Sequence, residues 1–292
     1  MTEPSMNEPS MNEPTIEFAS TPDGLTQLRR RWAAPEARAA ALVVHGIGEH
    51  TGRYGHFGSC LAAAGLNVLA ADNRGFGQSG GRRAYVRHFD EFLDDLVPLL
   101  EDRRSLGVPV VLIGHSLGGL IVSAYLVSGR PRPDLVILSA PALAAIVPTW
   151  QRLLAPAMAQ LLPKVFVPST IDATLLSRDR AVQAAYLADP LVVAGATGRL
   201  AHAVFETMRS TNASLDRITL PTYVVHGSED GLVPPSASEA LERLPSVERR
   251  VWTGLRHECF NEPEKAEVLA EMLGWIDHQL VGVSRAGSST WP

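Results

Sequence analysis

Short runs of β-branched and aliphatic residues alternate along the chain with longer segments in which apolar positions recur every three or four residues. The short runs, predicted to be strands, are Ala41–His45, Leu66–Ala71, Val108–Ile113, Leu135–Ser139, Thr222–His226 and Arg249–Trp252. The longer segments, predicted to be helices, are Tyr54–Ala64, Phe89–Ser105, Leu117–Ser128, Ser236–Leu244 and Pro263–Leu280. This alternation is typical of an α/β fold with a mostly parallel central sheet and helices on both faces.

The two ends of the chain differ from this pattern. Thr15–Ser20 and Thr26–Trp32 flank a Pro-Asp-Gly turn and are predicted to form an antiparallel hairpin. An imperfect repeat, TEPSM-NEPSM-NEPTI, begins at Thr2, and its Pro, Glu and Ser content predicts disorder over residues 1–14. Residues 283–292 are polar and rich in glycine and serine, so a flexible tail is expected there.

The alternation stops between Pro141 and Asp216, where no strand is predicted. The helical segments in this interval are Trp150–Leu162, Arg178–Ala188 and Arg199–Thr211. We predict that residues 141–216 are a helical lid inserted into a core made of residues 15–140 and 217–282. The first half of this segment, WQRLLAPAMAQLLPKVFVP, is strongly apolar. Two interpretations stay open: these side chains pack on the core, or they form an exposed surface that docks transiently on membranes or micelles.

Composition and charge narrow the range of functions. With 292 residues and 46% hydrophobic content, the chain can bury one large core. A net charge of −5 leaves no basic stripe for a phosphate backbone, so no nucleic-acid partner is predicted. Two cysteines are too few for a disulfide framework, and the first residues resemble neither a signal peptide nor an anchor. We expect a cytoplasmic protein with peripheral membrane association through the lid. The oligomeric state is left open.

A serine lies between glycines at the point where a predicted strand becomes a predicted helix. Gly114-His115-Ser116-Leu117-Gly118 follows the apolar run VPVVLI and precedes GLIVSAYL, which is the strand–turn–helix context of a nucleophilic serine. The glycines allow a sharp turn that exposes the hydroxyl and aims the next helix at developing negative charge. Ser116 is therefore the candidate nucleophile, although a small residue in a tight turn would give the same motif.

A serine hydroxyl is a weak nucleophile, so this chemistry also needs a histidine base and a carboxylate that orients it. Asp230 follows the predicted strand Thr222–His226, and His257 lies between the last predicted strand and the last predicted helix. The order Ser116, Asp230, His257 is the one associated with this serine turn. Glu229 competes with Asp230 for the role of the acid. The eight other histidines are disfavoured as the base because they lie at strand ends, within helices or before Asp230.

The oxyanion of the tetrahedral intermediate that such a serine forms needs two backbone N–H donors. Leu117, the residue after the candidate nucleophile, is predicted to supply one of them. The turn VVHGIGEHTGRY follows an early strand, and Ile47 is its candidate for the second donor. An ordinary glycine turn is the alternative interpretation of that segment.

Two other motifs indicate different chemistry but lack the required context. The segment DNRGFGQSGG contains the Gly-x-Gly-x-x-Gly of dinucleotide-binding proteins, but the chain continues as a loop where a helix should open. We interpret it as a tight loop beside the site. His257-Glu258 begins like a zinc-protease motif, but Asn261 occupies the position of the second histidine. No metal and no cofactor are predicted, and Cys259 is interpreted as a buried, inert thiol.

These segments together resemble the α/β-hydrolase superfamily and, within it, the monoacylglycerol lipase group with its lysophospholipase-like relatives. The resemblance extends from about Gly24 to Leu280 and rests on HGIGEHTGRY, DNRGFGQSGG, GHSLGG, IDATLLSRDRAVQAAYLADPLV, HGSEDGLVPP and HECFNEPE. It implies an α/β-hydrolase fold with a lid and a serine hydrolase that cleaves monoacylglycerol to fatty acid and glycerol through an acyl-enzyme.

The resemblance assigns the same roles as above to the serine, the acid, the base and the two amides. It adds a glycerol-side pocket, whose members would be His115, Arg53 and Tyr186. A lysophospholipase or a general carboxylesterase is the alternative enzyme. A serine peptidase or a non-catalytic binding protein of the same fold are further alternatives.

Overall fold

An eight-stranded sheet forms the centre of the protein in the computed structural model, which describes residues 13–286. The strands of this range are, in chain order, β1 (Thr15–Ser20), β2 (Thr26–Trp32), β3 (Ala39–Val44), β4 (Leu66–Ala71), β5 (Val110–His115), β6 (Leu135–Ser139), β7 (Phe166–Pro168), β8 (Gly195–Thr197), β9 (Thr222–Gly227) and β10 (Val247–Trp252). The order across the central sheet is β1-β2-β4-β3-β5-β6-β9-β10. The pairs that involve β1 or β2 are antiparallel, and all other pairs of this sheet are parallel.

Helices connect the strands. They are α1 (Gly55–Ala63), α2 (Asp90–Arg104), α3 (Leu117–Val127), α4 (Thr149–Leu161), α5 (Arg180–Ala188), α6 (Gly198–Asn212), α7 (Glu239–Glu242) and α8 (Lys265–Ala286). Short 3-10 turns occur at Thr51–Tyr54, Ala173–Leu175, Leu215–Arg217, Pro235–Ser238 and Cys259–Asn261.

Strand β3 illustrates why the core strands are apolar throughout. All six of its residues are buried. Its even-numbered residues, such as Leu42, share a core with α2 and α3, whereas its odd-numbered residues, such as Val43, share a core with α1 and α8. Successive side chains of a strand point to opposite faces, so a strand covered by helices on both faces has no polar side.

The predicted fold class is confirmed by this architecture. β1, β2, β4 and β6 have the predicted bounds, and the ends of the other predicted strands differ by at most two residues. The segment DNRGFGQSGG forms a loop, and the next helix, α2, begins only at Asp90. Within this loop, Gly77 packs directly against the buried carboxylate of Asp72. A Cβ added to Gly77 would lie only 2.2 Å from Asp72 Oδ2.

Two element predictions were wrong. Residues 141–216 do contain strands, since β7 and β8 pair as a short antiparallel ribbon. Three-residue strands are too short for a periodic pattern to reveal. The segment predicted as the helix Ser236–Leu244 is instead a 3-10 turn, Pro235–Ser238, followed by the single-turn helix α7. The Ser238 hydroxyl lies 3.1 Å from the carbonyl of Pro235 and so competes with regular helical hydrogen bonds.

The last helix also differs from its prediction. It was expected to end at Leu280, but α8 continues to Ala286, which is inside the predicted tail. The segment VGVSRA has no proline that would stop the helix earlier. The remainder of the predicted tail, residues 287–292, and residues 1–12 of the predicted disordered repeat lie outside the described residues.

The inserted segment, residues 141–216, holds its helices together with small residues. Ala155 and Ala159 are the buried positions of α4, and a Cβ added to Gly198 at the start of α6 would lie 2.7 Å from Met158 Cβ. Four large apolar side chains of α4 are at least half exposed; they are Trp150, Leu153, Leu154 and Leu161. These side chains therefore do not pack on the core, and their contact with membranes or micelles stays a prediction. No helix within residues 13–286 is long and apolar enough to cross a bilayer.

Candidate active site

Ser116 joins β5 to α3 in a backbone conformation that L-residues rarely adopt. Its φ is 53° and its ψ is −117°. The amide of Ser116 donates to the carbonyl of Ser139 at 2.9 Å, and its own carbonyl accepts from the amide of Leu120 at 3.1 Å. The sheet and the following helix thus hold the strained residue in place, which is the usual way that such strain persists at a functional site.

The glycines on either side of Ser116 are required by close packing. A Cβ added to Gly114 would lie 2.4 Å from the carbonyl oxygen of Gly118. A Cβ added to Gly118 would lie 2.1 Å from the carbonyl oxygen of Val44 at the end of β3. Both glycines let the start of α3 lie directly against the carboxyl ends of the strands, where Ser116 emerges.

Asp230 and His257 come from the loops after β9 and β10 and meet in the interior. His257 Nδ1 lies 2.7 Å from Asp230 Oδ2. Asp230 Oδ1 accepts the amides of Leu232 and Val233, each at 2.9 Å. A neutral His257 that donates from Nδ1 leaves Nε2 able to accept a proton. Glu229 is exposed, so the structure brings Asp230, and not its competitor, to the histidine.

The charge of Asp230 suits this arrangement. Burial alone would raise the pKa of Asp230, but the contacts with His226 and His257 outweigh burial and hold it well below its ordinary range. Asp230 is therefore ionised at neutral pH and can stabilise a positive charge on His257.

Two of the other histidines near the site have structural partners. His45 Nε2 accepts the amide of Asn73 at 2.8 Å, so its Nδ1 donates to the carbonyl of Gly46 at 2.8 Å.

The ring of His115 lies 4.8 Å from the ring of His257, measured between centroids. Burial and the charge of His257 lower the pKa of His115 to about 4, so His115 is neutral at neutral pH.

The two candidate amides of the oxyanion hole lie next to Ser116. A Cβ added to Gly46 would lie 3.1 Å from Ser116 Cβ, so the loop that carries Ile47 passes directly beside the serine. Leu117 is the first residue of α3, and the first amides of a helix have no acceptor within that helix. Ile47 and Leu117 are thus the chain neighbours of residues that lie at the serine, and their role as oxyanion donors stays a prediction.

A cavity of about 570 Å³ brings the predicted site residues together. Its walls include every predicted site residue except Asp230, which lies behind His257. The remaining lining is mostly apolar and comes largely from the insertion; it includes Ile146, Trp150, Leu154, Met158, Phe205 and Met208. Such a mixture of apolar walls and a few convergent polar groups is typical of a small-molecule site.

Backbone hydrogen bonds connect the insertion to the loops of the site. The amide of Val193 donates to the carbonyl of Gly48 at 2.7 Å, next to Ile47. The amide of Glu258, the residue after His257, donates to the carbonyl of Leu176 at 2.8 Å. The position of the insertion is thus coupled to the candidate oxyanion loop and to the loop of the candidate base.

Comparison with known proteins places this chain in a family. Residues 35–264 match the model of the Hydrolase_4 family, described as serine aminopeptidase S33. The chain belongs to this family of α/β-hydrolases. The hydrolase is 38% identical to a monoacylglycerol lipase of Mycolicibacterium smegmatis over 251 residues, which are 82% of this chain and 89% of that protein. It is 27% identical to the phospholipase YtpA of Bacillus subtilis over 256 residues, 85% of this chain and 99% of that one.

A solved structure agrees with these relatives. The monoacylglycerol lipase of Paleococcus ferrophilus is 31% identical to the hydrolase and superposes with a TM-score of 0.79, over 89% of this chain and 98% of that chain. Membership of this family and similarity to these relatives identify the protein as a carboxylic ester hydrolase.

Sequence analysis missed two carboxylates of the hydrolase that surround Arg53. Arg53 donates to Glu49 at 2.7 Å and, through both terminal nitrogens, to Glu258 at 2.8 and 2.9 Å. Glu49 Oε1 also accepts the amide of Gly46 at 2.6 Å. Burial alone would raise the pKa of Glu49, but the charge of Arg53 lowers it to about 2. The i, i+4 spacing of Glu49 and Arg53 was the only signal of this cluster in the sequence.

Tyr186 completes the surroundings of Arg53. The guanidinium carbon of Arg53 lies 5.1 Å from the centroid of the Tyr186 ring, within the range of a cation–π contact. Tyr186 is buried and belongs to α5, so the insertion reaches the charged cluster. No group of three or more histidine, cysteine or carboxylate side chains within residues 13–286 is arranged to hold a metal ion.

Proposed function

We propose that this hydrolase cleaves monoacylglycerols to fatty acid and glycerol, with Ser116, His257 and Asp230 as its catalytic triad. The observation that carries the proposal is the largely apolar cavity of about 570 Å³ that has Ser116 and His257 in its wall. An acyl chain fits such walls because it buries apolar surface there. The similarity to lipases named for monoacylglycerol supports this choice of ester.

Acylation begins when Ser116 Oγ attacks the carbonyl carbon of the ester while its proton passes to His257 Nε2. The tetrahedral oxyanion accepts hydrogen bonds from the amides of Ile47 and Leu117, and Asp230 stabilises the imidazolium. His257 then gives the proton to the glycerol oxygen as its bond to the acyl carbon breaks.

Deacylation repeats the same steps with water. His257 removes a proton from the water molecule as its oxygen attacks the acyl carbon, and the Ser116–acyl bond breaks as the proton returns to Ser116 Oγ. Free fatty acid leaves, and the triad is restored.

Polar groups beside the triad are suited to the glycerol end of the substrate. Arg53 faces two carboxylates, so this cluster has no net positive charge that would bind a phosphate, and His115 is neutral at neutral pH. Together with Tyr186, these groups line the cavity beside Ser116 and His257. This favours a neutral glycerol over the zwitterionic headgroup of a lysophospholipid.

The first test compares fatty-acid release from a long-chain monoacylglycerol and from a lysophospholipid of the same acyl chain. Ser116→Ala is expected to lose nearly all release, since only binding and the oxyanion hole remain without the nucleophile. Ser123→Ala is the matched control: Ser123 is a buried serine of α3 whose hydroxyl donates to the carbonyl of Gly119 at 2.7 Å. Near wild-type release by Ser116→Ala would overturn the proposed triad.

The substrate is decided by the same measurement. A Ser116-dependent preference for the monoacylglycerol supports the proposal, and a preference for the lysophospholipid makes the enzyme a lysophospholipase. If neither lipid is cleaved but a short ester is, the enzyme is a general carboxylesterase.

We further propose that the insertion acts as a lid that contacts lipid surfaces. Leu153 and Leu161 of α4 are 73% and 75% exposed, and both lie on the helix that also lines the cavity through Leu154. Exposed apolar side chains on a helix that also lines an apolar cavity are expected where substrate comes from a membrane or micelle.

Liposome co-sedimentation tests this contact. The double variant Leu153→Gln/Leu161→Gln should sediment less with liposomes than the wild type, because it removes apolar surface without changing charge. Leu106→Gln is the control, since Leu106 is an exposed leucine outside the insertion. Equal sedimentation of the wild type and the double variant would contradict the proposed contact.

A further inference from the structure

His226 is a buried histidine that the catalytic steps above do not use. It lies in β9, four residues before Asp230, and is completely inaccessible to solvent. Its Nε2 has two oxygen neighbours: the carbonyl of Val233 at 3.1 Å and Asp230 Oδ2 at 3.2 Å. The carbonyl oxygen is an acceptor only, and so is the carboxylate of Asp230 when it is ionised. Nε2 of His226 therefore carries a hydrogen.

The other ring nitrogen has a partner that keeps the ring in this orientation. His226 Nδ1 lies 3.0 Å from Ser238 Oγ. Ser238 Oγ also accepts from Arg249 Nε at 2.8 Å, so its single hydrogen can point to His226 Nδ1 or to the carbonyl of Pro235 at 3.1 Å. That carbonyl also accepts from Arg249 Nη2 at 2.8 Å and does not depend on the hydrogen of Ser238. A neutral His226 ring that accepts at Nδ1 and donates at Nε2 satisfies all of these contacts.

The contacts of His226 form a closed cycle with the loop after β9. Nε2 faces both the carbonyl of Val233 and Asp230 Oδ2, while the amide of Val233 donates to Asp230 Oδ1 at 2.9 Å. The carboxylate is therefore held on both oxygens, with His257 on the remaining side of Oδ2. Removal of the His226 ring would leave the Val233 carbonyl and one side of the carboxylate without these contacts.

We infer that His226 is a positioning residue, whose Nε2–H group holds the carboxylate of Asp230 in the orientation that serves His257. This inference rests on the proposed triad but not on the choice of monoacylglycerol as substrate. It gives His226 no contact with the substrate and no proton to transfer.

Few other titratable groups face Asp230. His257 contacts it directly, and the buried thiol of Cys259 has its pKa raised by burial and by the charge of Asp230. Arg249 reaches Ser238 and not the carboxylate. His115, whose ring lies 4.8 Å from that of His257, is present in every variant. A change in the acidic part of the rate profile on substitution of His226 can therefore be attributed to the Asp230–His257 pair.

Two substitutions of similar polarity separate the contacts of His226. The amide nitrogen of a glutamine can reach the position of Nε2, so His226→Gln keeps a donor toward Asp230. Asparagine is shorter and reaches only the position of Nδ1, so His226→Asn keeps the contact with Ser238 and loses the one with Asp230. Hydrolysis of p-nitrophenyl butyrate by both variants, the wild type and Ser116→Ala is measured across pH.

His226→Asn is expected to show a several-fold lower kcat and an acidic limb of kcat/KM displaced to higher pH. A carboxylate that has lost a donor is more basic and holds the imidazolium more strongly. His226→Gln should retain several-fold more activity, with its acidic limb closer to that of the wild type. An unchanged limb in His226→Asn, or an equal displacement in both variants, would overturn the inference.

A measurement on the wild type is independent of how the variants fold. NMR of the nitrogen-15-labelled histidine rings should show a hydrogen on Nε2 of His226 at neutral pH, and an unprotonated Nε2 would overturn the inference. A wild type that hydrolyses the ester no faster than Ser116→Ala would instead refute the proposed triad.

Discussion

At the scale of single residues, the strained backbone of Ser116 depends on the absence of side chains at Gly114 and Gly118. The turn is possible only because neither Gly114 nor Gly118 has a side chain, so that α3 can begin in contact with β3. The proposed nucleophile therefore needs two residues that take no part in the reaction.

We predict that Gly118→Ala destabilises the protein by about 3 kcal/mol or more, because the new Cβ meets backbone that cannot move aside. Activity should fall with it, since α3 must shift relative to Ser116. Urea unfolding and ester hydrolysis measure the two effects. Gly274→Ala is the control: Gly274 lies in α8 with open space around it, and alanine there should stabilise by up to about 1 kcal/mol. Equal stability of Gly118→Ala and the wild type would contradict the packing argument.

At the scale of elements, three loops of the site are connected by ion pairs, and each charged side chain comes from a different segment of the chain. Arg53 lies in the 3-10 turn before α1, Glu49 lies in the loop of Ile47, and Glu258 follows His257. All three side chains are at most 10% exposed. The cluster thus fixes the candidate oxyanion loop relative to the loop of the proposed base.

Arg53→Met is predicted to destabilise the protein by about 3–5 kcal/mol, because it leaves two buried carboxylates without their partner. Chemical unfolding of the variant measures this loss. Arg209→Met is the matched control, since Arg209 pairs with Glu206 on the surface, where the side chains are 74% and 52% exposed, and such pairs contribute little. A loss of stability no larger in Arg53→Met than in Arg209→Met would show that the buried cluster is not structural.

At the scale of the whole molecule, the buried groups of the site make stability depend on pH. The pKa of His115 is lowered from 6.5 to about 4 in the folded protein by burial and by His257. Between these two values the unfolded chain binds more protons, so the free energy of unfolding falls as the pH is lowered. Glu49 and Asp230, whose pKa values are also lowered, extend this loss to more acidic pH.

His115→Gln is predicted to reduce the difference in the free energy of unfolding between pH 7.5 and pH 4.5, since it removes a contribution on the order of 3 kcal/mol. Urea titrations of both proteins at the two pH values measure this difference. His278→Gln, at an exposed position of α8, is the control and should keep the pH dependence of the wild type. If His115→Gln loses as much stability on acidification as the wild type, His115 is not the source.

The sequence by itself determined the fold class, the hairpin and, to within two residues, the bounds of the strands of the central sheet, because each depends on short-range patterns of apolar and turn-forming residues. The strand–turn–helix context of Ser116 and the chain order of Ser116, Asp230 and His257 were local signals of the same kind. Patterns of this sort do not resolve three-residue strands such as β7 and β8. They also do not show that Ser238 interrupts a predicted helix through its hydroxyl.

Only the tertiary structure decided which polar groups meet. It brought Asp230 to His257, left Glu229 exposed, and placed His226 against the same carboxylate. It also left Leu153 and Leu161 of α4 largely exposed, which their sequence left undecided. The physical reason is that burial and charge pairing depend on contacts between residues far apart in the chain, such as Arg53 and Glu258, and no local pattern encodes the distance between them.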